Sequence, residues 1–226
     1  MNKMTLDIAV QDALQHWEVW NALGLEKRLL TLRKAAHEVD HPLVNWLLDQ
    51  IHTSMLGEIT LPGPTGEANS LHWQGRGVVC IASDASADEQ AVAAQVFTAL
   101  ATGNCVIMQA DQKYMHKLHS ALINTDVPSS LVHLTDAPLQ ECASQIDFSA
   151  YAFCGSLTSI RELNLSLSKR GGCLAQLIEE SDFDHYSNLT TQDYIWRFVT
   201  EKTITVNTTA VGGNATLLEL GGRADA

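Results

Sequence analysis

The chain has 226 residues, of which 46% are apolar, and its 14 basic and 26 acidic residues leave a formal net charge of −12. This apolar content supports a sizeable core and excludes a disordered chain, and the negative charge disfavours nucleic acid as a partner. No apolar run approaches the roughly 20 residues of a membrane helix. The first residues lack the apolar core of a secretory signal, so we expect a cytoplasmic protein without a membrane partner.

Residues 1–60 show helical periodicity and are predicted to form a lead-in of three helices. Apolar residues recur at steps of three and four, and the third helix is expected to begin after Asp40 as its cap, with Pro42 near its first position. The stretch LPGPTGEAN at 61–69 holds two prolines and two glycines, which favour turns. We expect it to separate the lead-in from the next domain.

Residues 61–200 are predicted to form a Rossmann-like α/β domain. Five short apolar runs alternate with amphipathic helices, and each connection is long enough to cross over a parallel sheet. The runs are Gly77–Ser83, Cys105–Gln109, Leu131–Leu134, Ala150–Phe153 and Cys173–Ile178. The pattern therefore predicts a doubly wound α/β fold with a five-stranded parallel sheet.

The tail over residues 201–220 is predicted to form a β-hairpin, and residues 221–226 a disordered end. Thr203–Thr209 alternates apolar and polar residues, and a Gly-Gly-Asn turn leads into Ala215–Leu220. A lone two-stranded hairpin is marginal in water, so this one must pack on another surface.

In a doubly wound sheet, ligands bind at the carboxyl ends of the strands. The first predicted strand is followed by IASDASADEQ, which has no glycine-rich phosphate loop. Gly155 and Ser156 follow the fourth strand, and their amides could hold an anion at the helix start, although an ordinary turn with a serine cap is the favoured interpretation. Cys154 is the best candidate nucleophile by position, but no base is placed beside it and a buried inert thiol is the competing interpretation.

The remaining polar groups give no clear site. The histidine pairs His116 with His119 and His37 with His41 have helical spacing, but no pattern places a third metal ligand near either, so we predict no metal site. The acidic group Glu179, Glu180, Asp182 and Asp184 is predicted to be a solvated loop rather than an acid–base pair. The five cysteines (Cys80, Cys105, Cys142, Cys154 and Cys173) are an odd set without a C-x-x-C pair and are expected to be reduced core thiols.

Two segments carry a family resemblance. LPGPTGE at 61–67 and EKTITVNTTAVGGNATLLEL at 201–220 resemble stretches near the carboxyl end of proline utilization A, a family of bifunctional enzymes in which a flavin-dependent proline dehydrogenase feeds an NAD-dependent Δ1-pyrroline-5-carboxylate dehydrogenase. The likeness is to the family's extra C-terminal domain, which resembles a truncated aldehyde dehydrogenase. GVV at 77–79, ALATGN at 99–104 and AFCGS at 152–156 are similar to that superfamily's cofactor domain.

The resemblance applies to the fold but not to the catalytic and cofactor-binding residues. It implies that Ser86 replaces the asparagine that supports the oxyanion, and that Gln109 and Gln112 replace the lysine and glutamate that hold the NAD ribose. Only about twenty residues separate Glu180 from Glu201, where active members have a whole catalytic domain. We therefore expect no catalytic residue and no cofactor in this chain, with NAD and FAD in the parent enzyme and Gly155 and Ser156 as a vestigial cofactor turn.

The leading hypothesis is a non-catalytic domain whose hairpin imitates the oligomerisation flap of aldehyde dehydrogenases. It would dock on the dehydrogenase module of the parent enzyme, or on a second copy of this chain, and seal the path of the intermediate. Alternatives are an NAD-dependent dehydrogenase subunit and a nucleotide-binding module. The hairpin residues expected to make the interaction are Thr203, Ile204, Val206, Asn207, Gly212, Gly213, Asn214 and Leu217.

Overall fold

The computed structural model of the chain describes residues 5–207. Within this part the chain forms two compact units. The larger contains residues 5–56 and 74–200, and the smaller contains residues 57–73 together with 201–207. This division differs from the predicted boundaries, because the helical segment shares one unit with the α/β domain and residues 61–73 do not. Predicted segment 221–226 lies outside the described residues.

Seven α-helices and eight strands make up the described part. The helices are α1 (Leu6–Ala22), α2 (Leu25–Val39), α3 (Pro42–Met55), α4 (Glu89–Ala101), α5 (Lys113–Ile123), α6 (Leu139–Ser144) and α7 (Leu157–Leu167). The strands are β1 (Ile59–Leu61), β2 (Glu67–Gly75), β3 (Val78–Ser83), β4 (Cys105–Gln109), β5 (Val132–Thr135), β6 (Phe148–Cys154), β7 (Gln176–Glu180) and β8 (Val199–Asn207). Short 3-10 helices cover Ser129–Leu131 and Ile195–Phe198. No helix of residues 5–207 has the length and apolar character needed to cross a membrane.

The predicted five-stranded parallel sheet is confirmed. Its order is β5-β4-β3-β6-β7, and all four neighbouring pairs are parallel. Every residue of β3 and β4 is buried, as expected for strands covered on both faces. Chain order reverses between β3 and β6, which is where doubly wound sheets open a ligand crevice at the carboxyl ends of their strands. The fifth strand starts at Gln176, later than the predicted Cys173.

The three predicted N-terminal helices are present and pack on the α/β core. Trp20 Nε1 donates to Leu100 O at 2.9 Å, and Arg28 Nε donates to Ala101 O at 3.0 Å. Arg28 is only 4% exposed, and its burial lowers the pKa of the guanidinium to about 10. These bonds satisfy carbonyls at the carboxyl end of α4, where helices leave their last C=O groups unpaired. The helical segment is therefore a layer of the larger unit.

One expectation for these helices is wrong. Asp40 does not cap α3 but ends α2, in the left-handed conformation with φ +53°. His41 precedes α3, which starts at Pro42, and its side chain makes no capping hydrogen bond. An Asp tolerates left-handed backbone better than most residues, so it suits the end of α2.

The smaller unit contains a three-stranded sheet that the sequence did not indicate. β1 and β2 pair antiparallel, with Ile59 opposite Leu71 and Leu61 opposite Asn69, and β8 is the other neighbour of β2. The stretch predicted as a linker is therefore a turn between two strands. Residues 203–207 of the predicted first hairpin strand lie in β8, and Thr208 and Thr209 lie outside the described residues. The second hairpin strand, Ala215–Leu220, also lies outside the described residues.

We expect Gly75→Ala to destabilise the chain, because a Cβ there would lie 2.4 Å from Gly103 O, a backbone atom that cannot move alone. The overpacking should lower the free energy of unfolding by about 1–3 kcal/mol, measured by urea denaturation. Gly171→Ala is the matched control, since nothing lies within 4 Å of its added Cβ. Equal stability of the two variants would contradict the proposed close approach.

Candidate functional site

The crevice between β3 and β6 holds a cavity of about 300 Å³. The carboxyl ends of β3, β4 and β6 form one side, and α6 and α7 contribute the other. Its lining residues are Ser83, Asp84, Ala85, Gln109, Asp111, Gln112, Leu139, Gln140, Ala143, Phe153, Ser159, Glu162, Leu163 and Ser166. Gly155 and Ser156, the predicted vestigial cofactor turn, join β6 to α7 beside it.

The anion position at the start of α7 is taken by a side chain of the chain itself. Ser156 N donates to Asp84 Oδ2 at 2.9 Å, and Ser86 N donates to Asp84 Oδ1 at 2.9 Å. Ser86 Oγ donates to the same Oδ1 at 2.5 Å. The Asp84 carboxylate therefore accepts the hydrogen bond that the Ser156 amide would donate to a bound phosphate in this position.

Gly155 is required for this contact. A Cβ on Gly155 would lie 2.7 Å from both Cγ and Oδ2 of Asp84. The Gly155 amide is also used within the fold, because it donates to Glu180 O at 3.0 Å. Ser156 caps α7 as expected for an ordinary turn, accepting a hydrogen bond from Ser159 N. The sequence identified the turn but missed Asp84, whose only signal was its position just after the first strand.

The ionised form of Asp84 is strongly favoured. Its partial burial acts to raise the pKa, but hydrogen bonds from Ser86, Ser156 and Ser159 outweigh this and hold the pKa of the carboxyl well below its usual range. The carboxylate therefore places a negative charge at the helix start, where the helix dipole also favours an anion.

The other residues that the resemblance assigned to substrate and cofactor have neutral side chains. Ser86 is exposed and bonded to Asp84. Gln109 is 2% exposed and donates from Nε2 to Ala137 O at 3.3 Å, whereas Gln112 precedes α5 without capping it through its side chain. Gln109 and Gln112 lie together at the cavity, so the structure brings these two predicted positions into one site.

Cys154 has the properties of a buried inert thiol. It is 0% exposed, and burial raises the pKa of its thiol well above the ordinary value, with a further rise from the carboxylates of Glu180, Asp88 and Asp84. A thiolate, which is the nucleophilic form, is disfavoured in these surroundings. The expectation that all five cysteines are core thiols is wrong for Cys173, which is exposed; the other four are buried and all five are free.

The predicted histidine pairs remain without further ligands. His116 is exposed, and His119 is half-buried with Nε2 3.2 Å from Val132 O. His37 is exposed, and His41 Nε2 lies 3.9 Å from Glu89 Oε1. Residues 5–207 contain no group of three or more His, Cys, Asp or Glu side chains placed to hold a metal ion.

The acidic group does not form the predicted solvated loop. Glu180 is 0% exposed, and its carboxylate accepts four backbone hydrogen bonds of 2.9–3.0 Å. The donors are the amides of Ser181, Asp182, Asn188 and Leu189. Glu179 and Asp182 are half-buried and Asp184 is exposed. Glu180 thus organises the loop after β7, a role that the run of acidic residues concealed.

The described part of the predicted hairpin lies in β8. Thr203, Ile204, Val206 and Asn207 all belong to this strand, and Ile204 and Val206 are 39% and 54% exposed. Gly212, Gly213, Asn214 and Leu217 lie outside the described residues. Ile59 on β1 is 48% exposed, so the smaller unit presents apolar side chains to solvent.

No protein-family model matches the chain. It is 30% identical over 162 residues to the bifunctional protein PutA of Escherichia coli K12, and 31% identical over 172 residues to that of Rhizobium meliloti. These matches cover 71% and 75% of this chain, but the chain spans only 11% and 13% of the length of those relatives.

Solved structures show the same fold. A mutant of proline utilization A (PutA) from Bradyrhizobium japonicum matches with a TM-score of 0.65 at 24% identity, over 80% of this chain and 22% of that one. An NAD-dependent benzaldehyde dehydrogenase from Corynebacterium glutamicum matches with a TM-score of 0.61 at 16% identity, over 77% and 45%. The chain therefore has a fold of the aldehyde dehydrogenase type. Its sequence is homologous to part of the PutA proteins, and it is a PutA-like domain of that type.

We expect Glu180→Ala to be strongly destabilising, because four backbone amides would lose their acceptor at roughly 1–3 kcal/mol each. The amide of Leu189 is buried and the other three are partly buried. The free energy of unfolding should fall by at least about 3 kcal/mol in urea. Glu179→Ala is the matched control, since the half-buried Glu179 side chain lies 3.9 Å from Arg197 and should contribute below about 1 kcal/mol. Similar losses in both variants would rule out the assigned role of Glu180.

Asp84 should make stability depend on pH. Because its folded pKa is lowered from 3.8, its stabilisation is present above that pH and is lost as the pH falls. Asp84→Asn should therefore be less stable than the natural chain by about 1–2 kcal/mol near neutral pH, with the difference shrinking below about pH 4. Urea denaturation across this range measures it. Asp111→Asn, on the same cavity, is the control and should change the free energy of unfolding less. A stability difference for Asp84→Asn that does not change with pH would contradict the role of the Asp84 carboxylate.

Proposed function

We propose that this chain is a non-catalytic domain of a proline-catabolic enzyme, and that its C-terminal strand region docks on a Δ1-pyrroline-5-carboxylate dehydrogenase module. The proposal rests on the similarity to the bifunctional PutA proteins together with the state of the crevice. Asp84 is hydrogen bonded to the amide that would bind a cofactor phosphate, and the Cys154 thiol is buried with a raised pKa. Neither arrangement suits NAD-dependent aldehyde oxidation.

The smaller unit supplies a surface suited to docking. β8 alternates Ile204 and Val206 with Thr203 and Thr205, and the side chains of Ile204 and Val206 are exposed. A partner strand or an apolar surface would bury them, at about 25 cal/mol per Å² of apolar area. On docking, the strand region would cover the dehydrogenase active site and keep the reactive intermediate from solvent. A second copy of this chain is the other partner with which such a surface is compatible.

The experiment supplies the chain in trans to a purified Δ1-pyrroline-5-carboxylate dehydrogenase module from a PutA protein. We expect a complex by sedimentation and protection of residues 201–207 from hydrogen exchange. The double variant Ile204→Asp with Val206→Asp should weaken the complex about tenfold or more, because two charges would be buried. Thr203→Asp with Thr205→Asp is the matched control on the other face of the strand.

Two outcomes would overturn the proposal. Equal loss in both double variants would mean that negative charge, and not the apolar face, determines binding. Micromolar NAD binding or aldehyde oxidation by the chain alone would instead favour the nucleotide-binding or dehydrogenase alternatives. Calorimetry with NAD separates these, and we expect no saturable binding at micromolar concentrations because Asp84 competes with the pyrophosphate.

A further inference from the structure

Two free cysteines meet where α6 packs on the parallel sheet. Cys80 belongs to β3 and Cys142 to α6, and both side chains are fully buried. The two thiols lie within hydrogen-bonding reach of each other. They therefore form a buried dithiol between residues that are far apart in the chain.

The sheet register and the packing of α6 place these thiols together. Cys80 is the register partner of Tyr151 on β6, so both side chains point to the same face of the sheet. The Tyr151 hydroxyl donates to Cys142 O at 2.8 Å, which holds α6 against that face. Ala82 and Ala143, which are close in the chain to the two cysteines, belong to one hydrophobic cluster. The position of Cys142 over Cys80 thus follows from contacts on both sides of the pair.

The two thiols differ in acidity. A hydrogen bond with Cys80 lowers the pKa of the Cys142 thiol, although burial and the nearby carboxylate of Glu141 act in the opposite direction. The same hydrogen bond and burial raise the pKa of Cys80 well above its ordinary value. Cys142 is therefore the thiol of the pair that ionises first, and a thiolate is the form that attacks an oxidant.

The crevice gives small solutes an approach to α6. Leu139, Gln140 and Ala143 of this helix line the cavity of about 300 Å³, so Cys142 is the chain neighbour of a lining residue. The helix has only six residues, and elements this short open locally at low cost. A molecule of the size of hydrogen peroxide fits the cavity and reaches Cys142 when α6 opens.

We propose that Cys80 and Cys142 are a site of reversible oxidation, at which hydrogen peroxide converts the two thiols into a disulfide. The Cys142 thiolate attacks one peroxide oxygen, the O–O bond breaks, and the hydroxide that leaves takes up a proton to form water. Cys80 then attacks the sulfur of the Cys142 sulfenic acid, and the S–OH bond breaks to release a second water. Two thiols and one peroxide thus give one disulfide and two waters, and a dithiol reductant reverses the change by exchange.

The disulfide would join β3 covalently to α6. Because α6 forms one wall of the crevice, oxidation would hold this wall against the sheet and suppress its local opening. The site is therefore a modification site that changes the mobility of the crevice. It does not involve residues 201–207, so its test is separate from the docking test.

The experiment uses the full chain with Cys173→Ser, because the exposed Cys173 could link two molecules. The folded protein is treated with hydrogen peroxide, and its free thiols are counted after denaturation. We expect the count to fall from four to two and to return with dithiothreitol. Proteolysis and mass spectrometry should show one linked pair, Cys80 with Cys142, and hydrogen exchange of the α6 amides should slow several-fold.

Two further variants in the same background locate the reaction. Cys142→Ala should give no linked peptide, whereas Cys105→Ala should still give the link. Cys105 is the matched control because it is also a buried thiol, but it donates to Ala13 O at 3.5 Å, and burial raises its pKa to about 12.

Several results would overturn the proposal. These are an unchanged thiol count, a link between any other pair, oxidation of Cys142 to the sulfinic acid without a link, and equal thiol loss in Cys142→Ala. Unchanged exchange of the α6 amides after the link forms would contradict the effect on the crevice. The linked peptide is read from the chain that retains both cysteines, so the test does not depend on whether Cys142→Ala folds.

Discussion

The buried amide of Asn104 is the junction on which the larger unit depends. Its Oδ1 accepts from Gly77 N at 3.1 Å, and its Nδ2 donates to Ala99 O and Phe198 O, both at 3.0 Å. One side chain thus connects the start of β3, the end of α4 and the 3-10 helix before β8. Gly103, with φ +95°, makes the turn that brings Asn104 to this position. After this turn β4 pairs with β3, and the crevice lies on the other side of β3, where the chain order reverses toward β6.

In the crevice, the side chain of Asp84 makes a hydrogen bond that the backbone amide of Ser156 could otherwise make to a ligand. A turn that binds phosphate must leave its amides unpaired until the ligand arrives, and unpaired amides lower stability. Asp84 pairs the amide of Ser156 permanently, and Glu180 does the same for four amides after β7. Both carboxylates belong to the chain itself, so these amides have hydrogen-bond acceptors without any bound cofactor. This favours a domain that is stable without one.

The strongest parts of the fold were predictable because they rest on local patterns. Buried parallel strands are continuous apolar runs, and four of the five predicted runs overlap closely with the observed strands. β2 was missed because it is half-buried and follows a Pro- and Gly-rich turn, and its pairing with β8 joins residues far apart in the chain. The roles of Asp84 and Glu180 depend on such tertiary contacts too. In the sequence, a carboxylate that accepts hydrogen bonds from backbone amides cannot be distinguished from an exposed acidic residue.

The same reasoning explains why the resemblance to aldehyde dehydrogenases predicts the fold better than the ligand. Backbone geometry at the β6–α7 turn requires only Gly155 and a capping residue such as Ser156, and both are compatible with a phosphate or with an internal carboxylate. The choice between the two rests on residue 84, on a different strand end. The charge of the crevice is therefore determined by side chains that the fold permits to vary, and Asp84, Asp111 and Glu162 make this crevice negative. A scaffold of this kind retains its shape while the chemistry of its crevice changes.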